Sequence, residues 1–304
     1  MSDIKLFKKI DGTVEELPGQ APPLERALQN LFEKNLEAFL GVRFLASEFV
    51  TSNGGRMDTL GIDENGFPVI IEYKRDRSEN IINQGLFYLD WLMDHRGDFE
   101  LLVRDRFDKV TADAVEWSAP RLICIASDFT KYDEHAIKQM GKNIELIRYR
   151  GFGEDLLMLD LFTSVSTKAQ PVAASSSGTP NKYKTNSQSL ADAGEDLSNL
   201  YSDIEVFMVG LGDDVVHKTL KNYFAFKRIK NFACVEIKPQ ANVIRLYLKV
   251  DLEAVAMIER LEDGFTRDVR NIGHFGTGNL EVTVKNHEDF ERAKSLIHQS
   301  YEAS

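Results

Sequence analysis

The spacing of hydrophobic and polar positions changes several times along the chain. Ile4 to Ile10 alternates weakly, meets Asp11-Gly12 and resumes over Thr13 to Leu17, which is the pattern of a hairpin. Pro22 and Pro23 mark a helix start. From Leu24 to Leu40 the residues Leu24, Ala27, Leu28, Leu31, Leu36, Phe39 and Leu40 recur at helical spacing, so one face packs and the other stays wet. Gly41 ends that helix. Phe44 to Ser52 then reads as a strand reaching the polar turn Ser52-Asn53-Gly54-Gly55, and Arg56 to Ile62 as its successor. After Asp63-Glu64-Asn65-Gly66, the apolar run Phe67 to Tyr73 predicts a buried strand that ends in charge. A helix over Asn80 to Asp94 packs through Ile81, Ile82, Leu86, Leu89 and Leu92. Further helical sequence leads to Arg121 to Ala126, a central strand, and to two more over Ile144 to Tyr149 and Leu156 to Phe162.

The texture changes between Ser164 and Asn199, which has few large apolar residues and many Ser, Thr, Ala and Pro. This predicts three parts: a first domain over 1–163, a flexible linker over 164–200, and a second domain over 201–304. In the second, Ile204 to Ile229 reads as mainly helical, Phe232 to Lys238 and Val243 to Val250 as a hairpin, and Leu252 to Arg260 as a helix. A strand over Leu280 to Val284 and a last helix over Asp289 to Tyr301 complete a small α+β unit. Within it, His217 to Lys230 carries five Lys and Arg and no acid, interleaved with Tyr223, Phe224 and Phe226. This is a candidate nucleic-acid or partner surface whose aromatics are better read as core. Gly273-His274-Phe275-Gly276-Thr277-Gly278 precedes a strand, whereas phosphate loops follow one, so it reads as a tight loop with close backbone approach.

Charge narrows the picture. The formal net charge is −11, of which −9 falls in residues 1–163. That argues against a non-specific nucleic-acid coater, though a locally basic groove can exist in an acidic protein. Cys124 and Cys234 lie far apart in apolar runs and read as buried free thiols in a reducing cytoplasm. The sequence predicts no membrane span.

The chemistry concentrates between Gly55 and Trp91. Asp58 precedes the turn, while Glu72 and Lys74 follow it, two apart and so on one face of their strand. The flanking strands can bring Asp58 beside Glu72, and two carboxylates suit Mg²⁺ or Mn²⁺. Lys74 would serve a water or offset phosphate charge. Taken alone, Glu-x-Lys at a strand end is more often a solvated ion pair. Lys74, Arg75 and Arg77 form a basic cluster able to hold a phosphate backbone, or an ordinary loop partnered by Asp76 and Glu79. Glu25 lies where a helix dipole favours a carboxylate.

Asp58 followed by Glu72-Tyr73-Lys74 resembles the active-site pattern of the PD-(D/E)XK nuclease superfamily. GRMD, VIIEYK, and Gln84, Tyr88 and Trp91 on the next helix are similar to the nuclease domain of the EndoMS/NucS mismatch endonucleases, over roughly Leu24 to Ile125. The resemblance implies a restriction-endonuclease-like α/β fold, a mixed sheet flanked by helices, beside the separate α+β domain. It implies Mg²⁺- or Mn²⁺-dependent hydrolysis of DNA, with metal at Asp58 and Glu72 and catalysis by Asp58, Glu72, Lys74, Glu25 and Gln84. Glu33 and Glu37 compete with Glu25 for the helix acid, and Arg56, Arg75 and Arg77 would contact nucleic acid. The family's N-terminal DNA-binding and dimerising domain has no counterpart here, so mismatch specificity is not implied. The C-terminal domain resembles a small uncharacterised domain found beside such nuclease halves in bacteria. A homodimer, a protein partner for that domain, and a non-catalytic nucleic-acid-binding or adaptor role all stay open.

Overall fold

A computed structural model describes residues 4–20, 24–75, 80–165, 184–253, 261 and 264–304. The chain divides into two compact units, residues 1–170 and 171–304.

The first unit opens with the expected hairpin, β1 (Leu6–Ile10) and β2 (Thr13–Leu17), and a short strand, β3 (Gly19–Gln20). Helix α1 (Glu25–Leu40) buries Leu28, Phe32, Leu36 and Leu40, one residue per turn, and Gly41 ends it at φ 63°. Each such side chain contributes about 1.5–3 kcal/mol through burial. Strands β4 (Val42–Val50), β5 (Arg56–Asp63) and β6 (Pro68–Tyr73) follow as an antiparallel meander. Then come α2 (Ile81–Asp94), α3 (Arg96–Arg106), α4 (Lys109–Asp113), β7 (Arg121–Ala126), α5 (Lys131–Met140), β8 (Asn143–Phe152) and β9 (Leu156–Val165).

The sheet runs β3-β8-β7-β6-β5-β4, with β9 also pairing β8. Strands β6, β7 and β8 are parallel and the other pairings antiparallel. This is the mixed α/β architecture that the sequence predicts. The central parallel strands are mostly apolar because helices cover their faces: all six residues of β6 and of β7 are buried, Glu72 and Arg121 being the charged exceptions. Helix α2 lies close enough that a Cβ on Gly85 would stand 2.4 Å from Leu122 Cδ1, so any side chain there would have to displace that buried leucine.

The second unit is an antiparallel sheet with helices. It contains α6 (Asn186–Ala191), α7 (Glu195–Val209), β10 (Val216–Thr219), β11 (Phe224–Lys227), β12 (Asn231–Lys238), β13 (Val243–Leu248), β14 (Thr266–Asp268), β15 (Leu280–Val284) and α8 (His287–Glu302). Its strand order is β10-β11-β12-β13-β15-β14.

Three expectations change here. The stretch expected as linker holds the end of β9 and, from Asn186, helices α6 and α7, while 166–183 lie outside the described residues. Its Ser/Thr content marks a helix start: Thr185 and Gln188 form a capping box, and Leu197, Leu200 and Tyr201 enter the core. Helix does not continue to Ile229 either, because α7 stops at Val209 and two strands follow. Phe224 and Phe226 face the helices in the core and Tyr223 is buried in a smaller cluster, with Lys218 and Lys227 also buried, so the basic stretch is not an open surface. The expected helix over Leu252 to Arg260 falls mostly outside the described residues. Both cysteines are buried free thiols, and among the described residues no helix is long and apolar enough to cross a membrane.

Candidate active site

The β5–β6 register pairs Thr59 with Ile71 and Leu60 with Ile70, and its continuation sets Asp58 opposite Glu72. There side chains replace the ladder. Asp58 N–H donates to Glu72 Oε1 (3.2 Å) and Tyr73 N–H donates to Asp58 Oδ2 (3.0 Å). Each carboxylate thus satisfies a backbone donor at the mouth of the hairpin, where strand pairing ends. The neighbouring β7 stays engaged, since Lys74 N–H donates to the Ile125 carbonyl (2.8 Å).

Beyond Glu72, Lys74 Nζ reaches Glu25 Oε1 at 3.3 Å, while Glu25 Oε2 accepts Arg75 N–H (3.2 Å). The first turn of α1 therefore clamps the end of β6. Glu25 is the helix acid that meets Lys74. Glu33 turns to Thr59 Oγ1 (2.7 Å) and Gln29 Nε2 (3.0 Å) instead, and Glu37 is exposed.

The electrostatics of the pair are strained. Glu72 is fully buried and its Oε2 has no hydrogen-bond partner. Burial, reinforced by the neighbouring Asp58 charge, pushes its carboxyl up to about 9. Asp58 is raised too, chiefly by burial; Tyr73 N–H and Lys74 oppose the shift, and Glu25 and Glu48 add to it. Asp58, Glu72 and Glu25 together, if ionised, exceed Lys74 by two negative charges. Among the described residues no group of three or more His, Cys, Asp or Glu side chains is arranged to hold a metal ion. Two carboxylates nevertheless suffice for Mg²⁺ or Mn²⁺, which keep waters and substrate phosphate as their other ligands. The partnerless buried oxygen fits that donor set.

Gln84 connects by another route. Its Nε2 donates to the Tyr88 hydroxyl oxygen (3.0 Å), which also accepts Arg56 N–H (3.4 Å) at the start of β5. Trp91 donates to Ser52 Oγ (2.9 Å) and stacks on His95, so it braces the turn before Arg56. The Arg56 guanidinium is held by Glu48 at 2.7 Å, which also binds Arg26 at 2.7 Å. Arg75 is exposed, and its carbonyl accepts the Tyr149 hydroxyl (2.9 Å). Arg77 lies outside the described residues.

Gln29 is the residue that sequence reasoning missed. Nearly buried on α1, it donates to the Asp58 carbonyl (2.8 Å), to Glu33 and to Ser47, and so fixes the backbone that carries the first carboxylate. A signal existed: Glu25, Gln29 and Glu33 are spaced by four, a polar stripe beside the apolar one.

Residues 187–304 match the family described as "Domain of unknown function (DUF5655)". A Haemophilus influenzae protein described as "Uncharacterized protein" is 29% identical over 308 residues, covering 98% of this chain and 99% of that one. Among solved structures, a repair endonuclease from Pyrococcus abyssi aligns with 42% of this chain and 48% of its own, at 19% identity and a TM-score of 0.29. EndoMS in complex with dsDNA aligns with 41% of this chain and 43% of its own, at 23% identity and a TM-score of 0.25. Apo EndoMS gives 44% and 49%, 21% and 0.25. The chain spans less than half the length of these three structures.

Proposed function

We propose that this protein is a Mg²⁺- or Mn²⁺-dependent endonuclease that hydrolyses phosphodiester bonds in DNA. The observation that carries this reading is the pair of carboxylates, half-buried Asp58 and buried Glu72, facing each other across β5–β6 with a partnerless oxygen and a lysine two residues beyond. Asp58 and Glu72 would hold the ion, which when bound would polarise a phosphate and offset the charge of the displacement. Lys74 orients the attacking water or neutralises charge growing on the phosphate, and Glu25 positions Lys74. Gln84, through Tyr88, steadies the start of β5, and Arg75 offers a cation to the adjacent backbone phosphate.

The test incubates the purified protein with labelled single-stranded, double-stranded, branched and mismatched DNA, in Mg²⁺, Mn²⁺ or EDTA. Metal-dependent cutting that Lys74→Ala and Asp58→Ala abolish is the expected result. Cutting that persists in either variant removes the assignment. If no substrate is cut, a non-catalytic nucleic-acid-binding role takes its place.

A further inference from the structure

Among the described residues, three other than glycine hold a positive φ: Asp11 at 46°, Asn242 at 51° and Glu48 at 53°. Asp11 sits in the turn between β1 and β2, and Asn242 follows a single 3₁₀ turn, where short polar side chains accept the left-handed backbone. Glu48 lies inside β4, where an extended backbone is the rule and a left-handed one strains a residue with a long side chain. Such strain persists only where the surrounding structure holds it, and it gathers at functional sites.

The β4–β5 pairing joins Ser47 to Thr59 and Phe49 to Met57, so Glu48 stands across from Asp58. Its charge reaches that carboxyl: burial is the chief cause of the raised Asp58 pKa, and Glu48 adds to it. Each Glu48 oxygen takes a different guanidinium. Oε1 binds Arg26 Nη1 at 2.7 Å, and Oε2 binds Arg56 Nε at 2.7 Å. Gln29 Oε1 accepts from the same Arg26 nitrogen at 3.2 Å. Arg26 follows Glu25, the partner of Lys74, while Arg56 stands two residues before Asp58 on the same face of β5. The two arginines thus come from the two elements that frame the carboxylates, and a single side chain fixes both. They stay 56% and 64% exposed. Exposed ion pairs add little stability, too little to explain a strained backbone kept for their sake.

We propose that Glu48 is a positioning residue that holds Arg26 and Arg56 as a fixed pair of guanidinium groups for the backbone phosphates of a DNA strand lying along the carboxylate pair. A guanidinium gripped through one nitrogen keeps further N–H donors for a phosphate oxygen. Charge selects the occupant. With these three residues included, the site holds four carboxylates and three cations, a formal net of −1 that a divalent ion turns to +1, the complement of one phosphodiester. The inference rests on the nuclease reading of Asp58 and Glu72 and adds Arg26 and Glu48 to its substrate contacts.

The test uses the full chain in EDTA, so that binding is read without metal-dependent cleavage. Fluorescence anisotropy follows a fluorescein-labelled duplex, and the labelled strand alone, across a salt series. Arg26→Ala and Arg56→Ala are each expected to weaken binding and to lower the slope of log affinity against log salt by about 1. Glu48→Gly separates positioning from charge. Charge alone predicts that removing a carboxylate tightens DNA binding, whereas a lost anchor weakens it. The expected result is weaker binding with an unfolding midpoint no lower than the parent's, because glycine takes the left-handed backbone without strain. Both arginines are exposed, so their variants report on binding even if Glu48→Gly folds poorly. Unchanged slopes in the arginine variants, binding by Glu48→Gly as tight as the parent's or tighter, or no DNA binding by the parent chain overturns the proposal. A parent chain that shows the expected slopes yet cuts nothing in Mg²⁺ or Mn²⁺ removes the nuclease reading and leaves the phosphate contacts standing; one that cuts while the slopes stay unchanged does the reverse.

Discussion

Strands β5 and β6 carry carboxylates near both ends of their hairpin, and the two ends treat them differently. At the turn, Asp63 Oδ2 meets Arg121 at 2.8 Å, and the same guanidinium grips Glu145 through two bonds of 2.9 and 2.7 Å. Asp63 Oδ1 accepts from Asn65 and Phe67 N–H, both at 2.9 Å, which shapes the turn. All three charged groups are buried, and the two carboxylates hold the Arg121 guanidinium protonated against the effect of burial. At the mouth, Asp58 and Glu72 face each other, and the nearest cation, Lys74, is held by Glu25 instead. One end pairs its carboxylates with a buried cation and joins β5, β7 and β8. The other leaves its carboxylates without a cation of their own, a strain that the rest of the fold must be stable enough to bear.

This contrast can be broken from either side. Arg121→Ala leaves two buried carboxylates uncompensated and is expected to destabilise the first unit by about 3–5 kcal/mol, read as a fall in its thermal unfolding midpoint. Lys74→Ala does the opposite: under the proposed function it lowers metal-dependent cleavage by roughly 10²–10⁴-fold, while its half-exposed ion pair with Glu25 contributes only about 0–1 kcal/mol to stability. Gln29→Ala, which strips partners from the Asp58 carbonyl and Glu33, should cost about 1–3 kcal/mol in denaturant titration and lower the cleavage rate.

The finest test is a pH series on the metal-free protein. Because the folded-state pKa of Glu72 is raised, its contribution to stability is complete below about 4.5 and is lost progressively as pH rises toward about 9. Unfolding free energy in EDTA should therefore decline across that range, and Glu72→Gln should flatten the decline. Mg²⁺ should restore stability at the alkaline end in the parent chain alone. A parent profile identical to that of Glu72→Gln would remove the strained pair from the account.

The mouth of the hairpin was legible in the sequence because its signals are local. A polar turn between two strand-like runs places Asp58 and Glu72 on one face, and Lys74 follows by the alternation of a strand. Glu25 needed the structure to separate it from Glu33 and Glu37, since helical spacing alone puts 25 and 33 on one stripe. The turn end was invisible for the converse reason: Arg121, Asp63 and Glu145 sit in three separated segments, and each alone reads as a charge at the border of an apolar run. In the second unit, composition misled. Thr185 to Gln188 looks like the polar tract before it but caps a helix, and Phe224 to Lys227 keeps both faces buried, which erases the alternation that marks a strand.

The contacts that build the candidate active site differ widely in reach: Asp58 meets Glu72 across 14 residues, whereas Glu25 meets Lys74 across 49. Closing the longer loop costs about 1 kcal/mol more in chain entropy, and it requires a complete helix to dock on a finished hairpin. The carboxylate pair is therefore a local product of the hairpin and the lysine clamp a long-range one. The hairpin alone brings Asp58 to Glu72, whereas Lys74 meets its partner only once α1 has docked, so the integrity of α1 can be lost without losing the carboxylate pair.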